Sequence, residues 1–224
     1  MAEFVTLTAS DGYALPAYRA EPDGPPRGGV VVIQEIFGVN SQIQRTAERF
    51  AREGYLAIAP AIQDRLEKDF WTDDYSPDSF GAMRKMMERL DMAKTLLDVQ
   101  AAIDAAQEAG KVGITGYCFG GRVTWVAASE CTGLSAASGY YGGGVPAYID
   151  LTPKVPTEMH YGEEDVAIPL EQVEALRERH PDVDIYLYPG GHGFFNEDRT
   201  PSYHLESAER AFTRTLDFFA KHLA

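Results

Sequence analysis

The sequence predicts an α/β protein, a mostly parallel sheet with helices on both faces and an antiparallel hairpin at its N-terminus. Three observations predict it. Gly29–Ile33 (GVVVI) is a β-branched run that is apolar at every position, the mark of a strand buried on both faces. From residue 29 to the end, runs of strand character alternate with stretches of helical periodicity, which argues for one parallel-dominated sheet. Residues Phe4 to Ala20 instead alternate apolar and polar around Asp11-Gly12, a hairpin signal.

The elements follow in order. A Gly/Pro-rich loop from Glu21 to Gly29 leads into the GVVVI strand. Asn40-Ser41 reads as a helix cap, with Ile43, Ala47 and Phe50 at helical spacing up to Gly54. Tyr55 to Ala59 is a strand stopped by Pro60. Ser79 to Ala109 reads as one long or broken helix, with Met83, Met86, Met87, Leu90, Ala93, Leu97, Ala101 and Ala105 near one face, and Gly110 ends it. The methionines suit core contacts or an adaptable substrate surface, and core contact is the commoner role. Strands then fall at Lys111–Tyr117, Leu134–Tyr141, Pro156–Tyr161 and Asp184–Tyr188. Helices fall at Gly120–Ser129, Leu170–Arg179 and Tyr203–Leu223. No linker, repeat or low-complexity tract divides the chain, so a single domain over residues 1–224 is expected.

Composition narrows the function. The chain has 224 residues, 34 acidic and 20 basic, for a net charge of −14. Nucleic acid or an anionic membrane would require a basic patch, so neither is expected as a partner. The two cysteines, Cys118 and Cys131, are too few for a disulfide framework and lack zinc-site spacing, so no metal or cofactor is expected. The first residues, MAEFVTLTAS, lack the basic and apolar regions of a signal peptide, and no run approaches the ~18 apolar residues of a membrane span. A cytoplasmic protein acting on a small molecule is the expectation, with the oligomeric state open.

In such folds the active site sits at the carboxyl ends of the strands. The strand ending at Tyr117 delivers Gly116-Tyr117-Cys118-Phe119-Gly120-Gly121, a Gly-x-nucleophile-x-Gly elbow with cysteine as the nucleophile. The following helix N-terminus favours thiolate, and the Phe119 N–H suits an oxyanion donor. The plainer reading is a tight turn with a buried cysteine. His192, in the glycine-rich loop after the last strand, suits a general base, while the other four histidines lie in helices or within a strand. Glu163, Glu164 and Asp165 follow another strand. Any one of them would serve to hold the histidine's second nitrogen, and spacing does not choose among them. Glu35 ends the most apolar strand, where a carboxylate must be functional, paired or exposed. The Ile36 N–H is the second candidate oxyanion donor.

Taken together, Gln34 to Asn40, Gly116 to Gly121, Gly162 through Asp165 to Pro169, and Gly191 to Phe194 resemble the dienelactone hydrolase (carboxymethylenebutenolidase-like) family of the α/β-hydrolase fold, over nearly the whole chain. The resemblance implies a cysteine-dependent hydrolase of a lactone or small ester, working through a thioester acyl-enzyme. It implies a triad of Cys118, His192 and Asp165, with Ile36 and Phe119 amides as the oxyanion hole. It also implies that Glu35 contacts the thiol at rest and is displaced by substrate. Members acting on dienelactone bind its carboxylate through two arginines, and the corresponding places here hold Asn196 and Phe80, with Arg84 and Arg199 nearby. Phe37, Tyr140, Phe194 and Arg199 are the candidates for shaping the pocket. A non-catalytic small-ligand-binding protein on the same fold is the competing class.

Overall fold

The computed structural model describes all residues, 1–224. Eight strands form one sheet in the order β1-β2-β4-β3-β5-β6-β7-β8. They are β1 (Ala2–Thr8), β2 (Ala14–Ala20), β3 (Gly29–Ile33), β4 (Leu56–Pro60), β5 (Val112–Tyr117), β6 (Leu134–Tyr140), β7 (Thr157–Gly162) and β8 (Asp184–Tyr188). The β1–β2 and β2–β4 pairs are antiparallel, and all pairs from β4 through β8 are parallel. The chain therefore enters through the expected hairpin and continues as the expected parallel sheet. This is the α/β-hydrolase architecture.

Six helices accompany the sheet: α1 (Ser41–Arg52), α2 (Pro77–Met87), α3 (Met92–Ala106), α4 (Phe119–Glu130), α5 (Leu170–Arg179) and α6 (Leu205–Leu223). The period-2 geometry of β3 explains its apolar composition. Val30 and Val32 join the core under α1 and α6, and Val31 and Ile33 join the core under α3 and α4. Phe50 of α1 packs against Phe212 and Phe219 of α6, at ring-centroid distances of 5.1 and 6.1 Å. Each such buried side chain contributes about 1.5–3 kcal/mol over its exposed state. No helix is long and apolar enough to cross a membrane.

The span 79–109 is broken, and the break corrects the expected apolar stripe. The Asp91 carboxylate accepts the Ala93 N–H at 2.9 Å and starts α3 as a new helix. The interruption resets the helical phase, so the stripe set by Met83 and Met87 does not continue through Ala93, Leu97, Ala101 and Ala105. The buried face of α3 is instead Thr95, Asp98, Val99, Ala102, Ile103 and Ala106. Asp98 is satisfied there by Arg65, with both guanidinium contacts at 2.8 Å.

Candidate active site

Cys118 sits between β5 and α4 with φ 56° and ψ −113°, a left-handed conformation that side chains rarely adopt. The surrounding glycines make the turn possible. A Cβ on Gly116 would overlap the Gly120 carbonyl, and one on Gly120 would overlap the Ile33 carbonyl at the end of β3. The Cys118 N–H donates to the Tyr140 carbonyl (3.0 Å), which fixes the turn against β6. The elbow predicted from the Gly-x-Cys-x-Gly spacing is formed.

His192 Nε2 lies 3.0 Å from Cys118 Sγ, and its Nδ1 lies 2.8 Å from Asp165 Oδ2. The loops carrying Asp165 and His192 follow neighbouring strands and are joined by their backbones. The Glu163 N–H donates to the Tyr188 carbonyl (2.8 Å), and the Glu164 N–H to the Gly190 carbonyl (3.0 Å). Gly162 allows this approach, since a Cβ there would meet the Gly190 carbonyl. Of the three acidic candidates, Glu163 and Glu164 are exposed and Asp165 is buried, its Oδ1 accepting the Ala167 N–H at 2.9 Å. Burial of the imidazole opposes its charged form. The Cys118 sulfur and the Asp165 carboxylate outweigh that effect and push the His192 pKa up to about 10.

Two residues that line the cleft with Cys118, Ile36 and Phe119, carry backbone N–H groups without an acceptor. Phe119 is the first residue of α4, so its N–H has no partner within the helix. The Ile36 N–H donates to no group in the chain. The peptides around Ile36 are held by Gln34 Nε2, which donates to the Glu35 carbonyl (3.4 Å), and by Gln63 Nε2, which donates to the Ile36 carbonyl (2.7 Å). Gln63 has no signal in the sequence, because it reaches the site from a short turn after β4. Cys131 lies elsewhere, at the end of α4, where burial pushes its thiol up to about 11.

Glu35 is buried but does not contact the sulfur, contrary to the implied resting arrangement. Its Oε1 accepts the Tyr141 hydroxyl (3.0 Å) and its Oε2 accepts Asn196 Nδ2 (3.0 Å). The sulfur is paired with His192 instead.

The cleft over Cys118 has a volume of about 530 Å³, within the range of small-molecule sites. Ile36, Phe119 and His192 line it around the sulfur, and Phe80, Met87 and Met92 supply apolar walls. Of the stripe's methionines Met83, Met86 and Met87, Met87 alone lines the cleft while also packing in the core with Met83, and Met92 joins it from the start of α3. The expected pocket aromatics are corrected. Phe37, Tyr140 and Phe194 are fully buried and none lines the cleft. Phe37 packs on Tyr75 and Phe80, Tyr140 donates or accepts a hydrogen bond with Thr215 (2.7 Å), and Phe194 stacks on Tyr188. Each sits beside a motif in sequence, but its backbone direction turns the ring inward. Arg199 also lies off the cleft lining, with its guanidinium 5.6 Å from the Phe80 ring centroid.

The arginines that line the cleft are Arg84 and Arg122, and neither guanidinium makes a hydrogen bond or ion pair within the chain. Arg122 lies over the Phe119 ring at 4.9 Å, and its buried Nε has no partner. A spacing argument would have found it, because four residues beyond Cys118 is one helical turn.

The dienelactone hydrolase family model matches residues 15–223. The "Putative carboxymethylenebutenolidase" of Yersinia pestis is 37% identical, covering 97% of this chain and 87% of that protein. The "Carboxymethylenebutenolidase" of Pseudomonas putida is 28% identical, covering 98% and 97%. Among solved structures, a "Putative Dienelactone Hydrolase" from Klebsiella pneumoniae superposes with a TM-score of 0.85 at 32% identity, covering 98% of each chain.

Proposed function

The chain belongs to the dienelactone hydrolase family and is a lactone or ester hydrolase, and on that premise we propose that Cys118 is its nucleophile and a thioester its intermediate. The observation that carries the reading is the continuous line from Asp165 through His192 to Cys118, at 2.8 and 3.0 Å. Sγ attacks the substrate carbonyl as thiolate, with the proton held on His192 Nε2. The oxyanion that forms is met by the Ile36 and Phe119 N–H groups. As the tetrahedral intermediate collapses, the C–O bond breaks and His192 gives its proton to the leaving alkoxide. The neutral imidazole then takes a proton from water, whose hydroxide attacks the thioester and releases the acid and the thiolate. Asp165 holds the tautomer that leaves Nε2 free for each transfer. A lactone's leaving group stays tethered in the acyl-enzyme, so hydrolysis must outpace re-closure.

The substrate class is a small ester or lactone, and the unpaired guanidiniums of Arg84 and Arg122 favour one bearing an anionic group. The deciding experiment is Cys118→Ala with an activated ester such as p-nitrophenyl acetate. Turnover should fall by about 10³-fold or more while the thermal transition is kept. Undiminished turnover in that variant rejects cysteine catalysis. Saturable ligand binding with no turnover by the parent protein, over a panel of esters, lactones and thioesters, would support the competing binding-protein reading.

A further inference from the structure

Glu35 is a buried carboxylate that the proposed chemistry does not use, next in the chain to Ile36, which lines the cleft with a sulfur that must carry negative charge. It has no cation partner, and its hydrogen bonds come from neutral donors, the Tyr141 hydroxyl and the Asn196 amide. A carboxylate free to turn toward the sulfur would either take a hydrogen bond from the thiol or repel the thiolate, and both outcomes favour the protonated form. What holds Glu35 in place therefore bears on the charge of Cys118.

Asn196 is built for this task. It is fully buried and closes a turn, its N–H donating to the Gly193 carbonyl at 2.9 Å. Its Oδ1 accepts the Asp198 N–H (3.0 Å), so the opposite end of the amide must be the NH₂ group. That group faces Glu35 Oε2 at 3.0 Å and the Tyr75 hydroxyl at 3.3 Å. Asn40 Nδ2 holds the same Tyr75 hydroxyl at 2.9 Å. On the other side, Tyr141 has φ 34°, and its ring meets the His192 ring edge-on at 5.2 Å. The clamp thus joins the His192 loop, the end of β6 and the end of β3 around one carboxylate.

We propose that Asn196, with Tyr141, is a positioning residue that holds Glu35 away from Cys118, so that the thiolate–imidazolium pair exists before substrate arrives. The inference rests on Cys118 being the nucleophile. In this arrangement substrate need not displace Glu35, and the protein is in its reactive state at rest. The charged and titratable groups around the pair come from every surrounding element: Asp165 and His192 from the loops after β7 and β8, Arg199 beyond them, Tyr141 after β6, Tyr75 before α2, Arg84 on α2 and Glu88 at its end, Arg122 on α4 and Glu35 after β3. Glu88 is exposed to solvent and Asp165 is fixed on His192, which leaves Glu35 as the buried carboxylate held only by neutral donors.

The test is the rate of iodoacetamide labelling of Cys118 against pH, without substrate, in the full chain carrying Cys131→Ser. The parent should label rapidly well below the ordinary cysteine range of about 8.5. Asn196→Ala should move the profile to higher pH by about one unit or more. Adding Glu35→Gln to that variant should move it back, because the competing charge is gone. Tyr141→Phe removes the second donor and should shift the profile in the same direction, which keeps the test available if Asn196→Ala does not fold. An Asn196→Ala profile identical to the parent's overturns the proposal. So does a shift that Glu35→Gln leaves in place, since that marks a general loss of loop structure. Failure of the nucleophile itself reads out separately, as ester turnover surviving Cys118→Ala.

Discussion

The molecule contains two histidine–carboxylate pairs, and only one of them joins a sulfur and lines a cleft. In the cleft, His192 faces Asp165 through Nδ1 and Cys118 through Nε2. Under α6, His160 meets Glu158 at 3.0 Å, and the hydroxyls of Ser138 and Thr215 each lie 3.3 Å from the same nitrogen, Nε2. Its Nδ1 faces the Tyr188 hydroxyl at 2.9 Å. The core set therefore has a serine, a histidine and a carboxylate in mutual contact but no relay through the ring, since serine and carboxylate crowd one nitrogen. Ser138 Oγ even donates directly to Glu158 (2.8 Å). The His160 side chain is 0% exposed against 16% for His192, so no substrate reaches it. Residue types alone do not make a triad. Opposite nitrogens, access and a strained elbow do.

The strongest way to break this contrast is to remove each carboxylate. Asp165→Asn should lower kcat by about 10³-fold or more, the larger of the two effects on turnover. Glu158→Leu should leave kcat of the folded protein unchanged while costing about 3–5 kcal/mol of stability, by leaving His160 and two buried hydroxyls without their acceptor. Steady-state kinetics and urea titration of both variants measure the two effects, and a large kcat loss from Glu158→Leu in the folded fraction would dissolve the distinction.

The pairs should also respond to opposite ends of the pH scale. His192 has a folded pKa of about 10, raised above the ordinary imidazole value. Its contribution is present in full below about 6.5 and lost as pH rises through about 10. Glu158 is opposed by its own burial, but the charge of His160 and its hydrogen bonds hold its carboxyl below the usual range. Its contribution is present above the ordinary glutamate pKa and lost as pH falls through the depressed one. In urea midpoints measured across pH, His192→Gln should flatten the alkaline limb and Glu158→Leu the acid limb.

A smaller effect concerns recognition. Arg122→Gln should lower the ratio of kcat/KM for carboxylated over neutral esters by about tenfold, with Arg122→Lys keeping part of the preference. An unchanged ratio would leave Arg122 as packing against Phe119.

Much of the site was legible because its signals are local. The elbow needs small residues on both sides of its central residue, so Gly116, Gly120 and Gly121 announce the turn at Cys118 without any partner in view. The apolar run at β3 likewise reports burial on both faces. The sequence left Asp165 level with Glu163 and Glu164 until family resemblance chose it, and burial later separated them. The α3 stripe was misphased because a short break moves every later side chain around the helix axis. The aromatics at 37, 140 and 194 were misread because their direction depends on which layer packs against them.

Strand burial, the periodicity of an unbroken helix such as α1, and the glycine-bounded turn at Cys118 were determined by the sequence alone, because each is a restriction on a few adjacent residues. The tertiary structure decided where Glu35 points, which histidine meets the Cys118 sulfur through its second nitrogen, and which guanidiniums remain unpaired in the cleft. Those outcomes depend on contacts between residues far apart in the chain, 74 positions for His192 with Cys118 and 106 and 161 for Glu35 with Tyr141 and Asn196. No local pattern encodes such a pairing, since it exists only once the sheet has brought the ends of β3, β6 and β8 together.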